Sequence, residues 1–129
     1  MPITTSVDRK TGLRIYDVFG EMTAEDFQEA VTEAFTHPEY KPGSNALWDL
    51  RKATGGSLSV REIRGVVDAV VKYRKEAAGS RVALVVASSR AYGLARMYEQ
   101  MMAVATPVDI VVFRDRDEAE IWARAGVEE

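Results

Sequence analysis

Ala46-Leu47-Trp48-Asp49-Leu50-Arg51 is an apolar strand that runs into an acid and a base, and then reaches Gly55-Gly56 and a helix start at Ser59. A second stretch has the same grammar. Arg81-Val82-Ala83-Leu84-Val85-Val86-Ala87 is followed by Ser88-Ser89 and a helix carrying Tyr92-Gly93 and Arg96. In an open parallel sheet, sites form where strands end and helices begin. The two corners are expected side by side. Asp49, Arg51, Ser88, Tyr92 and Arg96 are therefore the candidate residues for binding a ligand or partner.

Working outward, Ile3 to Val7 and Leu13 to Phe19 read as two strands rich in β-branched and aromatic residues, joined by the polar turn from Asp8 to Gly12. So short a turn predicts an antiparallel hairpin, with Gly20 at its end. Thr23 with Asp26, and Ser59 with Glu62, open two helices as capping boxes, each flanked by a hydrophobic staple, Met22 with Phe27 and Leu58 with Ile63. The first helix buries Phe27, Ala30, Val31, Ala34 and Phe35 and stops before Pro38. The second buries Ile63, Val66, Val67, Val70 and Val71 and is expected to run unbroken to Gly79. The third strand spans Asn45 to Leu50, with a loop from Lys52 to Leu58. The fourth, Arg81 to Ala87, is apolar at nearly every position, which suits burial on both faces. A helix from about Ser89 to Ala105, a strand from Val108 to Phe113 and a last helix capped by Asp115 and closed by Gly126 complete the chain.

The order is ββαβαβαβα, an α/β chain expected to form one domain over residues 1–129. Its sheet should be mixed and five-stranded, with the hairpin at one edge and the four parallel strands, second to fifth, in sequence order. With every crossover right-handed and stepping one way, the helices collect mainly on one face. The fourth strand still needs cover on its other side, from the last helix, a curled sheet edge or a second chain. A homodimer or similar association is accordingly an expectation.

The 129 residues are 47% apolar and 29% charged, the balance of a globular domain. No apolar run approaches the ~18 residues that would span a bilayer, and no basic segment leads an apolar core at the start of the chain, so a cytoplasmic location is expected. The absence of cysteine excludes disulfides, thiolate metal sites and cysteine nucleophiles. A net charge of −3, with basic residues scattered, argues against nucleic acid as partner.

His37-Pro38-Glu39-Tyr40-Lys41-Pro42-Gly43, Leu47-Trp48-Asp49-Leu50-Arg51, Arg81-Val82-Ala83-Leu84-Val85, Tyr92-Gly93-Leu94-Ala95-Arg96-Met97, and Phe113-Arg114 leading into Glu118-Ala119 together resemble the SpoIIAA-like family of small bacterial proteins. That family is related in fold to STAS and CRAL-TRIO domains, and the Gly20-x-Met22-Thr23 pattern before a helix resembles STAS domains too. The resemblance implies a β/α superhelix that starts with a hairpin. It implies no established activity. The phosphorylated serine of STAS antagonists does not carry over, because Leu50 and Arg51 follow Asp49. The lipid-carrying CRAL-TRIO domains are longer and have an added helical lid, so lipid transfer is an analogy of fold alone.

Each candidate also has a plain structural reading. His37, the one histidine, suits a helix end, and a metal site needs several ligands. Asp49 and Arg51 share a strand face and read as an ion pair or as the polar rim of a site. Gly55-Gly56 lacks the lysine of a phosphate-binding loop. Ser88 reads as a helix cap. Leu94, Met97, Tyr98 and Met101 share one helix side, and Met97, Met101 and Met102 read as core or as the lining of an adaptable groove. Asp49 and Arg96 are expected to meet in one polar cluster, the local alternative being Arg96 with Glu99 or Gln100. No catalytic residue, metal site or cofactor is assigned. The reading is a non-enzymatic binding or regulatory module that engages a protein partner or small ligand at the ends of the third and fourth strands. The alternative is a carrier or enzyme that holds a small apolar or lipid-like molecule under the Met-bearing helix.

Overall fold

The computed structural model describes residues 3–54 and 58–125. The hairpin forms as expected. β1 (Ile3–Val7) pairs antiparallel with β2 (Arg14–Glu21), Ile3 opposite Val18 and Val7 opposite Arg14. Gly12 closes the turn at φ +76°, a conformation that costs a residue with a Cβ, and donates its N–H to the Asp8 carbonyl at 2.7 Å.

Both capping boxes are present. Thr23 and Asp26 open α1 (Ala24–Thr36), and Ser59 and Glu62 open α2 (Val60–Val71). α1 ends at His37, whose Nδ1 accepts the Glu39 N–H at 3.1 Å, the local capping role read for it. α2 is shorter than expected. It stops at Val71, and a separate turn, α3 (Arg74–Ala77), follows. Tyr73 makes the break. Its backbone leaves helical angles at φ −114°, ψ 24°, its N–H turns back to the Val70 carbonyl, and its ring stacks on Phe35 of α1 at 5.1 Å.

β3 (Ala46–Thr54), β4 (Arg81–Val85) and β5 (Asp109–Phe113) complete a sheet in the order β1-β2-β3-β4-β5, with β2 to β5 parallel. β3 is longer than the expected Asn45 to Leu50, because it continues through a register shift against β2. Asp17 opposes Asp49, but Phe19 opposes Lys52, so β3 carries one extra residue at Leu50-Arg51. Ala46, Trp48 and Leu50 face one layer, and beyond the extra residue Ala53 takes that side. The Gly55-Gly56 loop and the closing Gly126 lie outside the described residues.

α4 (Ser89–Ala105) joins α1, α2 and α3 on one face, over Leu84, Val86, Ile110 and Val112. α5 (Arg116–Ala125) lies alone on the other, with Ala119 and Ala123 fully buried against Ile15, Leu47, Ala83 and Val85. The chain's own last helix thus covers the second face of β4. A second copy has no uncovered face of β4 to occupy there.

The end of α5 is tied down by a buried amide. Asn45, 5% exposed, donates to the Ala123 carbonyl at 2.7 Å and accepts the Arg81 N–H at 2.8 Å. Arg81 adds a bond to the Trp122 carbonyl and lies over the Trp122 ring. Asn45→Ala orphans a donor and an acceptor together, and each buried unpaired group costs ~1–3 kcal/mol. The expected result is a fall in the denaturant midpoint worth at least about 2 kcal/mol with an unchanged slope. A loss within error of zero would show that the amide does not hold the helix.

Candidate functional site

Strand parity decides what each corner residue can reach. Trp48 and Leu50 face the α1–α2–α4 layer, so Asp49 faces α5. Its carboxylate sits at the register shift and satisfies it. Oδ1 accepts the Arg51 backbone N–H at 3.1 Å and Arg51 Nε at 3.0 Å, and Oδ2 accepts from the Arg51 guanidinium at 2.7 Å and from Arg116 at 3.0 Å. Arg116 also holds Asp17 at 2.7 Å, on the strand beside, and Glu120 at 2.8 Å on its own helix. Glu120 in turn accepts from Arg124, which reaches Asp8 in the hairpin turn at 3.1 Å.

The expected meeting of Asp49 with Arg96 does not occur. Arg96 is exposed on α4, on the opposite face of the sheet, and faces Glu99 at 3.5 Å. Single-handed crossovers put α4 on the side of α2, while Asp49 alternates with Trp48 and points away. Arg116 was the residue missed. The available signal was that parity, together with the last helix as the only element left for the second face.

Ser88 caps α4 by accepting the Ala91 N–H at 3.1 Å. Tyr92 is half-buried, and the Arg114 guanidinium lies over its ring at 4.8 Å. Of the five candidates, Asp49 and Arg51 are brought together, while Ser88, Tyr92 and Arg96 belong to the other layer.

Every charge in the Asp49 network has a partner. Burial alone would raise the Asp49 pKa. The hydrogen bonds from the Arg51 side chain and backbone, and from Arg116, outweigh it and hold the pKa at about 2. Burial would likewise weaken the Arg116 cation, but its bonds to Glu120, Asp49 and Asp17 push its pKa up. The arrangement is a clamp between α5 and the sheet.

The other face holds a cavity of about 320 Å³ between the sheet and α1, α2 and α4. Trp48, Leu50, Val66, Val70, Leu84 and Ala95 are among its walls. Its breadth has a local cause. α4 turns Ala91 and Ala95 toward the sheet, where larger side chains would fill the space. Met102, 1% exposed, and Tyr98 line it, whereas Met97 and Met101, which share a helix side with Tyr98, do not. Thr54, Ser88 and Arg90 border it at the carboxyl end of the strands and are exposed. Ser80 and Val108 border it at the amino end and are buried. The cavity therefore opens toward the corner that Ser88 occupies.

A depressed carboxylate pKa favours the folded state at pH above the unfolded value of 3.8, and that contribution disappears as pH falls through about 2. Asp49→Asn should therefore lower stability by on the order of 1–2 kcal/mol at pH 7, and the difference from the parent should shrink steadily below pH 4. Denaturant melts of both chains from pH 7 to pH 2 provide the check. A pH-independent difference would contradict the clamp. In double-mutant cycles, Asp49 should couple to Arg116 and show no coupling to Arg96.

A family model described as SpoIIAA-like matches residues 14–124. No curated protein matches the sequence. Among solved structures, the chain is similar to an uncharacterized protein of the DUF3478 family with a SpoIIAA-like fold, from Shewanella loihica PV-4. The two share 21% identity over 94% of this chain and 91% of that one, with a TM-score of 0.62. The hairpin start, the strand order and the helices gathered over one face agree with that likeness, and the match over residues 14–124 shows that the chain belongs to the SpoIIAA-like family.

Proposed function

We propose that the chain is a non-catalytic binding module whose ligand is a small, largely apolar molecule held between the sheet and the helices. The observation that carries this reading is the cavity of about 320 Å³. Protein interiors hold few voids larger than a water molecule. Left to water, the apolar walls of this space forgo contacts and burial that an apolar occupant would supply. By proportion with a ~150 Å³ cavity that takes up benzene, the occupant has about a dozen heavy atoms.

The charged corner supports the same choice. Its carboxylates and guanidinium groups are engaged with one another, which suits a clamp better than proton transfer. A protein partner docked at the ends of β3 and β4 would leave the cavity without a purpose. No helix among the described residues is long and apolar enough to cross a membrane.

The sign of a filling mutation tests the reading. In a close-packed core Ala95→Leu would cost ~1–3 kcal/mol. Here it should be neutral or stabilising and should abolish the rise in melting temperature that decanol gives the parent chain. Saturating decanol at a hundred times its dissociation constant stabilises a specific site by ~2.7 kcal/mol. A strongly destabilised Ala95→Leu, or a parent chain whose melting temperature ignores decanol, would overturn it.

A further inference from the structure

The amino end of the cavity holds two polar groups that the fold leaves incomplete. Ser80 is 2% exposed and borders the cavity. Its Oγ makes no close hydrogen bond among the described residues, because the neighbouring Tyr40 hydroxyl donates elsewhere, to the Glu76 carbonyl at 3.1 Å. A buried hydroxyl without a partner is unusual, since buried polar atoms are nearly always paired. Arg14 borders the same cavity. Its guanidinium donates to Ser44 Oγ at 3.0 Å, to the Tyr16 hydroxyl at 2.6 Å and to the Ser44 carbonyl at 3.3 Å, which uses three of its five N–H donors.

None of the ion pairs among the described residues includes Arg14. The contrast with the other face is direct, because there Arg116 holds three carboxylates. Arg14 is half-buried, and aromatic faces accompany it, Tyr40 at 4.9 Å and Tyr16 at 5.6 Å. Tyr16 in turn stacks on Trp48, a wall of the cavity, at 4.3 Å. Burial pushes the Tyr40 hydroxyl up, outweighing the nearby Arg14 cation and the adjoining Ser80 and Ser44 hydroxyls, so Tyr40 stays a neutral neighbour.

A half-buried cation with spare donors and no ion-pair partner among the described residues, at the same end of an apolar cavity as a buried hydroxyl, matches an anionic oxygen group on an apolar body. Building on the apolar-cavity reading above, we propose that the ligand is a single-chain carboxylate amphiphile. Its carboxylate meets Arg14 and Ser80 at the amino end, and its apolar body lies along Trp48, Leu84 and Ala95.

Calorimetric titration of the full chain with decanoate, decanol and decylammonium, each below its aggregation concentration, tests the charge without any mutation. The expected order is decanoate tightest and decylammonium weakest, with decanoate roughly ten-fold or more ahead of decanol, the gain from a charge-assisted hydrogen bond. Arg14→Met should remove that lead, bringing decanoate down to the affinity of decanol or below. Because the Ser80 hydroxyl makes no close hydrogen bond among the described residues, Ser80→Ala should keep or raise the melting temperature and still weaken decanoate several-fold. Equal affinity for decanoate and decanol overturns the carboxylate assignment and leaves the apolar cavity standing. No binding of any probe overturns both.

Discussion

Leu84 and Val85 are neighbours on β4 and must be buried in opposite directions. The rest of the architecture follows from that demand. β4 lies inside the sheet, with β3 and β5 on either side, so no edge of it meets solvent. Each face then needs its own cover, and the two covers differ. Three helices and a short turn gather over Leu84, while one helix with two alanines lies against Val85. Alanine lets the backbone of α5 come close to the sheet, so that side is thin and full. The other side is thick, and α4 offers alanine where bulk would be needed to fill it.

The thin layer depends on polar ties at both of its ends. Asn45 and Arg81 hold the carbonyls near the end of α5, and Arg116 locks its start to Asp17 and Asp49. The extra residue in β3 gives Asp49 its position. It leaves the Arg51 N–H to be met by the Asp49 carboxylate, and that carboxylate then faces Arg116. A sheet braced from behind in this way can keep an open space in front without the layers collapsing on it.

Local signals carried much of this. Thr23 with Asp26 and Ser59 with Glu62 announce two helices, and the unbroken apolar run from Val82 places its strand in the sheet interior. The site was harder, because it depends on which side of the sheet each helix takes. Arg96 looked like the neighbour of Asp49 when only the order of corners was counted. Alternation from Trp48 to Asp49 sends the acid to the far side, where Arg116 waits 67 residues later in the chain. The break at Tyr73 has no glycine or proline to mark it and arises from a ring stacked on a distant helix. The cavity was legible only as a choice between core and groove, since periodicity shows which side chains point inward and not whether they meet. Ser80 and Arg14 carry no local pattern at all. Their shared place at the amino end of the strands comes from the parallel pairing.

An accessible apolar space between β3, β4 and α4 is what any such ligand requires. Crystals of the chain pressurised with xenon examine it without assuming any ligand chemistry, since xenon enters apolar cavities and scatters strongly. An ordered xenon site bounded by Trp48, Leu84 and Ala95 is the expected result. Side chains closed over that volume, with no xenon between the sheet and α4, would contradict it.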